Sequence, residues 1–137
     1  MASINVLIVV DVVAAVQRGL PTNVWMLDTG RYLNTQEAGN ELITTLNSGD
    51  QVIWSLAAID PGTNVQFALP PAFTSNSGTI PGIIDPKQNP IDPAQYLGRF
   101  TPPGGTQAGT MYQYTVVLSM NGVNYSFDPF LKLYTTT

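Results

Sequence analysis

The chain contains no histidine and no cysteine among its 137 residues. Histidine is the usual proton shuttle and metal ligand near neutral pH, and cysteine supplies thiolate nucleophiles, soft-metal sites and disulfides. No Ser-His-Asp or Cys-His arrangement can form, and no disulfide can staple the fold. Chemistry would have to rest on nine carboxylates, five cations, and the hydroxyls and amides. The spacing of Asp28, Asp60, Asp85 and Asp92 does not point to a hydrolytic carboxylate pair. The expectation is a binding or structural protein without enzymatic activity or a required cofactor.

Charge is scarce as well. Charged residues make up 10% of the chain, against roughly 25% in ordinary globular proteins, so the polar surface must come from Thr, Ser, Asn, Gln and the backbone. The only cations are Arg18, Arg31, Lys87, Arg99 and Lys132, and the net charge is -4. Such a chain cannot neutralise a run of phosphates, which excludes nucleic acid as the expected partner. It also has no polybasic membrane anchor. The most apolar stretch, Ile4 to Val16, is broken by Asp11 and falls short of the roughly 20 residues that span a bilayer. No positive charge precedes it, as a secretory signal would require. The segment reads as a β-strand, with no membrane insertion, and the protein as cytoplasmic.

What the chain has in abundance is Val, Ile, Thr, Tyr and Phe in short runs punctuated by Gly and Pro, the pattern of an all-β domain. Its length suits a single domain over residues 1–137. The clearest local signal lies between Met111 and Phe127, where Asn121-Gly122 suits the positive φ angles of a tight hairpin turn. That turn sets Leu118 opposite Tyr125 and Val116 opposite Phe127 on one face, with Val117, Ser119, Asn124 and Ser126 on the other. Tyr112 and Tyr114 continue the apolar face. A second hairpin is suggested by Glu41 to Leu46, a loop at Asn47-Ser48-Gly49-Asp50, and Gln51 to Ile59. Further strands are expected at Ile4 to Val12, Asn23 to Asp28, Asn64 to Leu69, Gln95 to Phe100 and Phe130 to Tyr134; Asp11 to Arg18 can turn helical. The predicted architecture is an antiparallel β-sandwich of about seven to nine strands. Its core holds Val6, Ile8, Val10, Val52, Trp54, Leu56, Val116, Leu118, Tyr125 and Phe127.

Between Leu69 and Thr110 stand Pro70, Pro71, Pro81, Pro86, Pro90, Pro93, Pro102 and Pro103. Proline cannot donate to a sheet ladder, so this long Pro-rich loop region in the second half is expected to be mainly loops with edge fragments. Long loops on a rigid scaffold are favoured places for recognition. Asp85, Asn89 and Asp92 offer oxygen ligands of the kind calcium takes, and the same groups can meet sugar hydroxyls; Asp-Pro and Asn-Pro also simply begin turns. Of the aromatics Trp25, Tyr32, Tyr96 and Tyr112, Trp25 and Tyr96 lie nearest polar neighbours. The candidate sugar-binding set is therefore Trp25, Asn89, Asp92, Gln95 and Tyr96, with Asp85, Asn89 and Asp92 as metal candidates.

Three segments, NVLIVVD near the N-terminus, GDQVIW from Gly49 and YSFDPFLKL from Tyr125, occur in an order that resembles the AidA/PixA family of bacterial inclusion-body proteins. GDQVIW alone also resembles a cupredoxin segment, but type I copper needs two imidazoles and a thiolate, which are missing here. The chain departs from the AidA/PixA pattern after Asp11, where Val12-Val13-Ala14 replaces polar residues, and it is shorter in the middle. The resemblance implies a β-sandwich, commonly dimeric, under quorum-sensing or stationary-phase control, found in inclusion bodies or released without a classical signal peptide. It also implies, for some members, lectin-like binding of mannose- or heptose-type sugars. Two functions are carried forward: non-catalytic carbohydrate recognition, and a structural or storage role in which ordered self-assembly is the function. A homodimer is expected under both.

Overall fold

The computed structural model describes residues 2–30, 39 and 41–137. The first strand, β1 (Ser3–Val10), alternates strictly: Ile4, Val6, Ile8 and Val10 are buried while Ser3, Asn5 and Leu7 face outward. It ends at Asp11, whose side chain accepts a hydrogen bond from the Ala14 amide at 3.2 Å. That contact caps a short helix, α1 (Val12–Arg18), which buries Val12 and Ala15. The strands that follow are β2 (Val24–Asp28), β3 (Ile43–Leu46), β4 (Gln51–Ala58), β5 (Gln66–Phe67), β6 (Phe73–Thr74), β7 (Lys87–Gln88), β8 (Gln95–Arg99), β9 (Met111–Gln113), β10 (Thr115–Met120), β11 (Val123–Phe127) and β12 (Phe130–Leu133). No helix among the described residues is long and apolar enough to cross a membrane.

The fold is all-β and sandwich-like. A five-stranded sheet in the order β2-β1-β4-β8-β7 shares one core with a four-stranded sheet of β11, β10, β5 and β6 and a three-stranded sheet β3-β12-β9. The expectation of an antiparallel sandwich needs correction in two places, because β1 pairs with β4 in parallel and β3 with β12 in parallel. Among the described residues the strands number twelve rather than seven to nine, because two-residue fragments add to the count: β5, and β6 and β7 within the Pro-rich region.

The predicted C-terminal hairpin forms in the expected register, with Leu118 opposite Tyr125 and Val116 opposite Phe127. Asn121 and Gly122 take φ angles of 54° and 75° at its turn. Tyr125 is only half-buried, so of the predicted core residues it is the one that fails to reach the interior. The second predicted hairpin does not form: β3 and β4 lie in different sheets, and the turn between them carries the chain across the core. That turn is held by Asp50, a buried carboxylate that accepts from the amides of Ala2 at 2.8 Å and Asn47 at 2.9 Å. Asp50 thereby ties the start of β1 to the start of β4, where the parallel pairing of the two strands begins. Gly49 adopts a φ of 91° beside it, a conformation open chiefly to glycine.

Aromatic rings fill the centre. Phe73 lies between Trp54 at 4.7 Å and Tyr96 at 5.0 Å, Phe67 meets Tyr96 at 4.7 Å, and Tyr114 meets Trp54 edge-on at 5.9 Å. The indole N–H of Trp54 donates to the Tyr114 hydroxyl at 3.1 Å, so neither polar tip is stranded. Burial, with the Asp28 charge as a smaller contribution, pushes the Tyr114 phenol well above its ordinary range, although the Trp54 hydrogen bond acts in the opposite sense.

Candidate functional site

The structure keeps Asn89, Asp92, Gln95 and Tyr96 together on β8 and the turn before it, and separates Trp25 from them. Trp25 sits on β2, at the edge of the five-stranded sheet opposite β7, with β1 and β4 between it and Tyr96 on β8. The Tyr96 ring is 5% exposed and packs against Phe67 and Phe73. Both ring neighbours belong to the core, so this ring does not offer the open stacking face expected of it. Burial raises the pKa of its phenol. Asn89 and Gln95 do come together, but they satisfy one another. The Asn89 amide donates to Gln95 Oε1 at 2.9 Å, and Gln95 in turn donates to the Ser55 hydroxyl at 3.4 Å. Tyr112 is half-buried with its ring edge on Phe100 at 5.9 Å, and Tyr32 lies outside the described residues.

The metal candidates are also committed elsewhere. Asp85 pairs with Lys87 at 3.2 Å, Asp92 accepts from the Ala94 amide at 3.0 Å, and Asn89 accepts from the Ile91 amide at 3.0 Å. The last two are turn-forming contacts, the alternative weighed for Asp-Pro and Asn-Pro. No group of three or more acidic side chains able to hold a metal ion gathers among the described residues.

Three other features stand out. The first is the outer face of the five-stranded sheet. Trp25 and Leu27 of β2, Leu7 and Val9 of β1, Ile53 and Ala57 of β4, and Leu97 of β8 alternate with the buried set and therefore share that face. Leu7 is 40% and Leu27 43% exposed, and the two are direct cross-strand partners. The polar residues among them are mainly neutral: Ser3, Asn5, Gln51, Ser55 and Gln95, with Arg99 and Lys87 only toward one side. An outer sheet face normally alternates to polar residues; on this one the apolar side chains gather in a patch around Leu7, Leu27, Val9 and Trp25, and the polar ones lie mainly beyond it.

A second feature is a groove of about 370 Å³ beside β5, walled by Val65, Phe67, Pro70, Pro93 and Ala94, with Gln66, Gln88 and Asp92 as its polar groups. The third is a polar cavity of about 180 Å³ lined by Ser75, Asn76, Ser77, Gln113, Thr115 and Asp128. Its walls are preset by hydrogen bonds. Thr115 donates to Asp128 Oδ1 at 2.7 Å, Gln113 donates to the Asp128 carbonyl at 3.4 Å, and the Ile80 amide donates to Ser75 at 2.9 Å. Sequence reading missed this cavity. Its one available signal was the exposed Asp128 between buried Phe127 and Pro129, in a motif read only as a family signature.

A family model described as a domain of unknown function, DUF8788, matches residues 2–126. No curated protein matches the chain. The crystal structure of the inclusion body protein PixA from Burkholderia cenocepacia is similar in fold, with a TM-score of 0.53 at 13% sequence identity over 98% of this chain and 95% of that chain. The likeness to the AidA/PixA proteins read from the three sequence segments thus extends to the architecture of the whole domain.

Proposed function

The chain belongs to the DUF8788 family of domains of unknown function, and on that premise we propose that its role is structural: a non-catalytic protein that self-associates, first as a homodimer, in the manner of an inclusion-body component. The observation that carries this reading is the apolar outer face of the five-stranded sheet. Five strands about 4.8 Å apart, the longest rising about 3.3 Å per residue, present a face of roughly 400 to 500 Å². That is a little over half of the roughly 800 Å² per partner of a standard stable interface, so residues at the rim of the sheet must add to the contact. A face so poor in charge incurs little desolvation cost when covered, and a two-fold axis would set Leu7 and Leu27 against the same patch of a second copy. The fold shared with an inclusion body protein supports the same reading.

The test is sedimentation velocity on the full chain and on a Leu7→Lys/Leu27→Lys variant. The wild type is expected to dimerise, and four lysines brought together across the interface should weaken the dimer by about 100-fold or more. A wild-type monomer at high concentration, or a variant that dimerises as well as the wild type, would refute the proposal.

Carbohydrate recognition is a second reading, and the observation favouring it is the polar cavity at Asp128 rather than the Pro-rich loop. Its hydroxyls, two carboxamides and one carboxylate are groups that accept from and donate to paired sugar hydroxyls, and its volume suits one small ring. Saturation-transfer NMR against mannose, galactose and heptose glycosides tests it. Binding that disappears in Asp128→Asn supports the cavity; no transfer from any glycoside at millimolar concentration removes the reading.

A further inference from the structure

We propose that Leu69 and Ile91, beside the groove along β5, form a second, weaker contact between copies of this chain, which joins the dimers made through the sheet face into larger assemblies; the inference rests on the self-association proposed above. Leu69 is 90% and Ile91 92% exposed, the most exposed large apolar side chains among the described residues. A lone exposed aliphatic residue is ordinary. These two are not independent: Leu69 lines the groove, and Ile91 precedes Asp92, which lines it too.

The groove and its neighbours make a self-complementary surface. Its walls are mainly apolar, with Val65, Phe67, Pro70, Pro93 and Ala94, and Asp92 is the single charged group. A protruding aliphatic side chain next to an apolar groove on the same molecule can be exchanged across a two-fold axis, each copy inserting its Leu69 into the other's groove. The turn that carries Ile91 is fixed, because Gln88 donates to the Pro93 carbonyl at 3.0 Å and the Gln95 amide to the Asp92 carbonyl at 3.0 Å. Little ordering entropy is then lost when the surface is covered.

Area decides what kind of contact this is. Two nearly fully exposed aliphatic side chains and the groove walls offer roughly 300 Å² per copy, well below the roughly 800 Å² of a stable dimer interface. Alone, such a contact holds nothing together at low concentration. Each dimer carries two such grooves, one per copy, so it can join two neighbours. A closed dimer by itself stops at two copies, whereas continued growth requires a second, distinct contact. No residue lines both this groove and the sheet face, so one copy can use both.

The experiment compares three full-length proteins by sedimentation velocity and light scattering over rising concentration: wild type, Leu69→Gln/Ile91→Gln, and Leu7→Lys/Leu27→Lys. Both altered positions of the groove variant are exposed, and circular dichroism checks that its fold is retained. The wild type should pass from dimers to larger species, and the groove variant should remain dimeric to at least about tenfold higher concentration. Larger species that form equally in the groove variant overturn the inference. So does a wild type that stays dimeric up to its solubility limit, which would leave the sheet-face dimer standing and place any other occupant in the groove. Failure of the sheet-face reading is seen separately, as dimers that persist in the Leu7→Lys/Leu27→Lys protein.

Discussion

The two principal outer faces of this sandwich are built from the same kind of strand and present opposite chemistry. On the β10–β11 hairpin the outward positions are Val117, Ser119, Asn124 and Ser126, which water can solvate. On the five-stranded sheet they include Leu7, Val9, Trp25, Leu27, Ile53 and Leu97. Both sheets bury most of their other face: Val116, Leu118 and Phe127 in one, and Ile4, Val6, Ile8, Val52 and Trp54 in the other. The core therefore takes up Ile4, Val6, Ile8, Val10, Val52, Trp54 and Leu56 of β1 and β4 but leaves Leu7, Val9, Ile53 and Ala57 on the other side. The remaining apolar side chains cost stability in water unless another surface covers them, and this contrast separates a solvent-facing hairpin from the sheet proposed to face a second copy.

The comparison can be broken most strongly from within. Trp54 and Ile53 are neighbours on β4 that point to opposite sides, one fully buried and one half-buried. Trp54→Ala removes the centre of the aromatic cluster and the hydrogen bond to Tyr114, and should cost about 3–5 kcal/mol in urea unfolding. Ile53→Asn should leave the unfolding midpoint of the isolated chain nearly unchanged while weakening self-association.

Alkaline pH gives an intermediate effect that reads the inner face alone. The folded-state pKa of Tyr114 is raised above the ordinary value of 10.0 by burial. The neutral phenol is favoured in the folded state, so this contribution is complete below the unfolded pKa and is lost as pH rises from there toward the folded value. Stability should fall by about 1.4 kcal/mol per pH unit above about pH 10 from this group. Tyr114→Phe should remove that slope in urea titrations at successive pH values.

The smallest expected effect sharpens the contrast between the two faces. Ser119→Lys on the hairpin should change stability by no more than about 0.5 kcal/mol and leave the sedimentation profile as it was. A shift to monomer from this substitution would assign the interface to the wrong sheet.

Local patterns in the sequence were enough to specify the hairpin and its register, the alternation of β1 and β4, the helical turn between Asp11 and Arg18 and the loop character of the Pro-rich half. Each depends on side-chain period, turn chemistry or the missing proline N–H, properties carried by a few adjacent residues. Only the tertiary structure decided that β1 and β4 run parallel, that β3 and β4 part into different sheets, and that Tyr96 turns inward while Trp25 lies strands away. It also brought Ser75, Gln113 and Asp128 into one cavity from three distant segments. Pairing partners and the surroundings of a side chain depend on contacts between residues far apart in the chain, and period-2 alternation assigns a residue to a face without saying which other strands share that face or whether anything covers it.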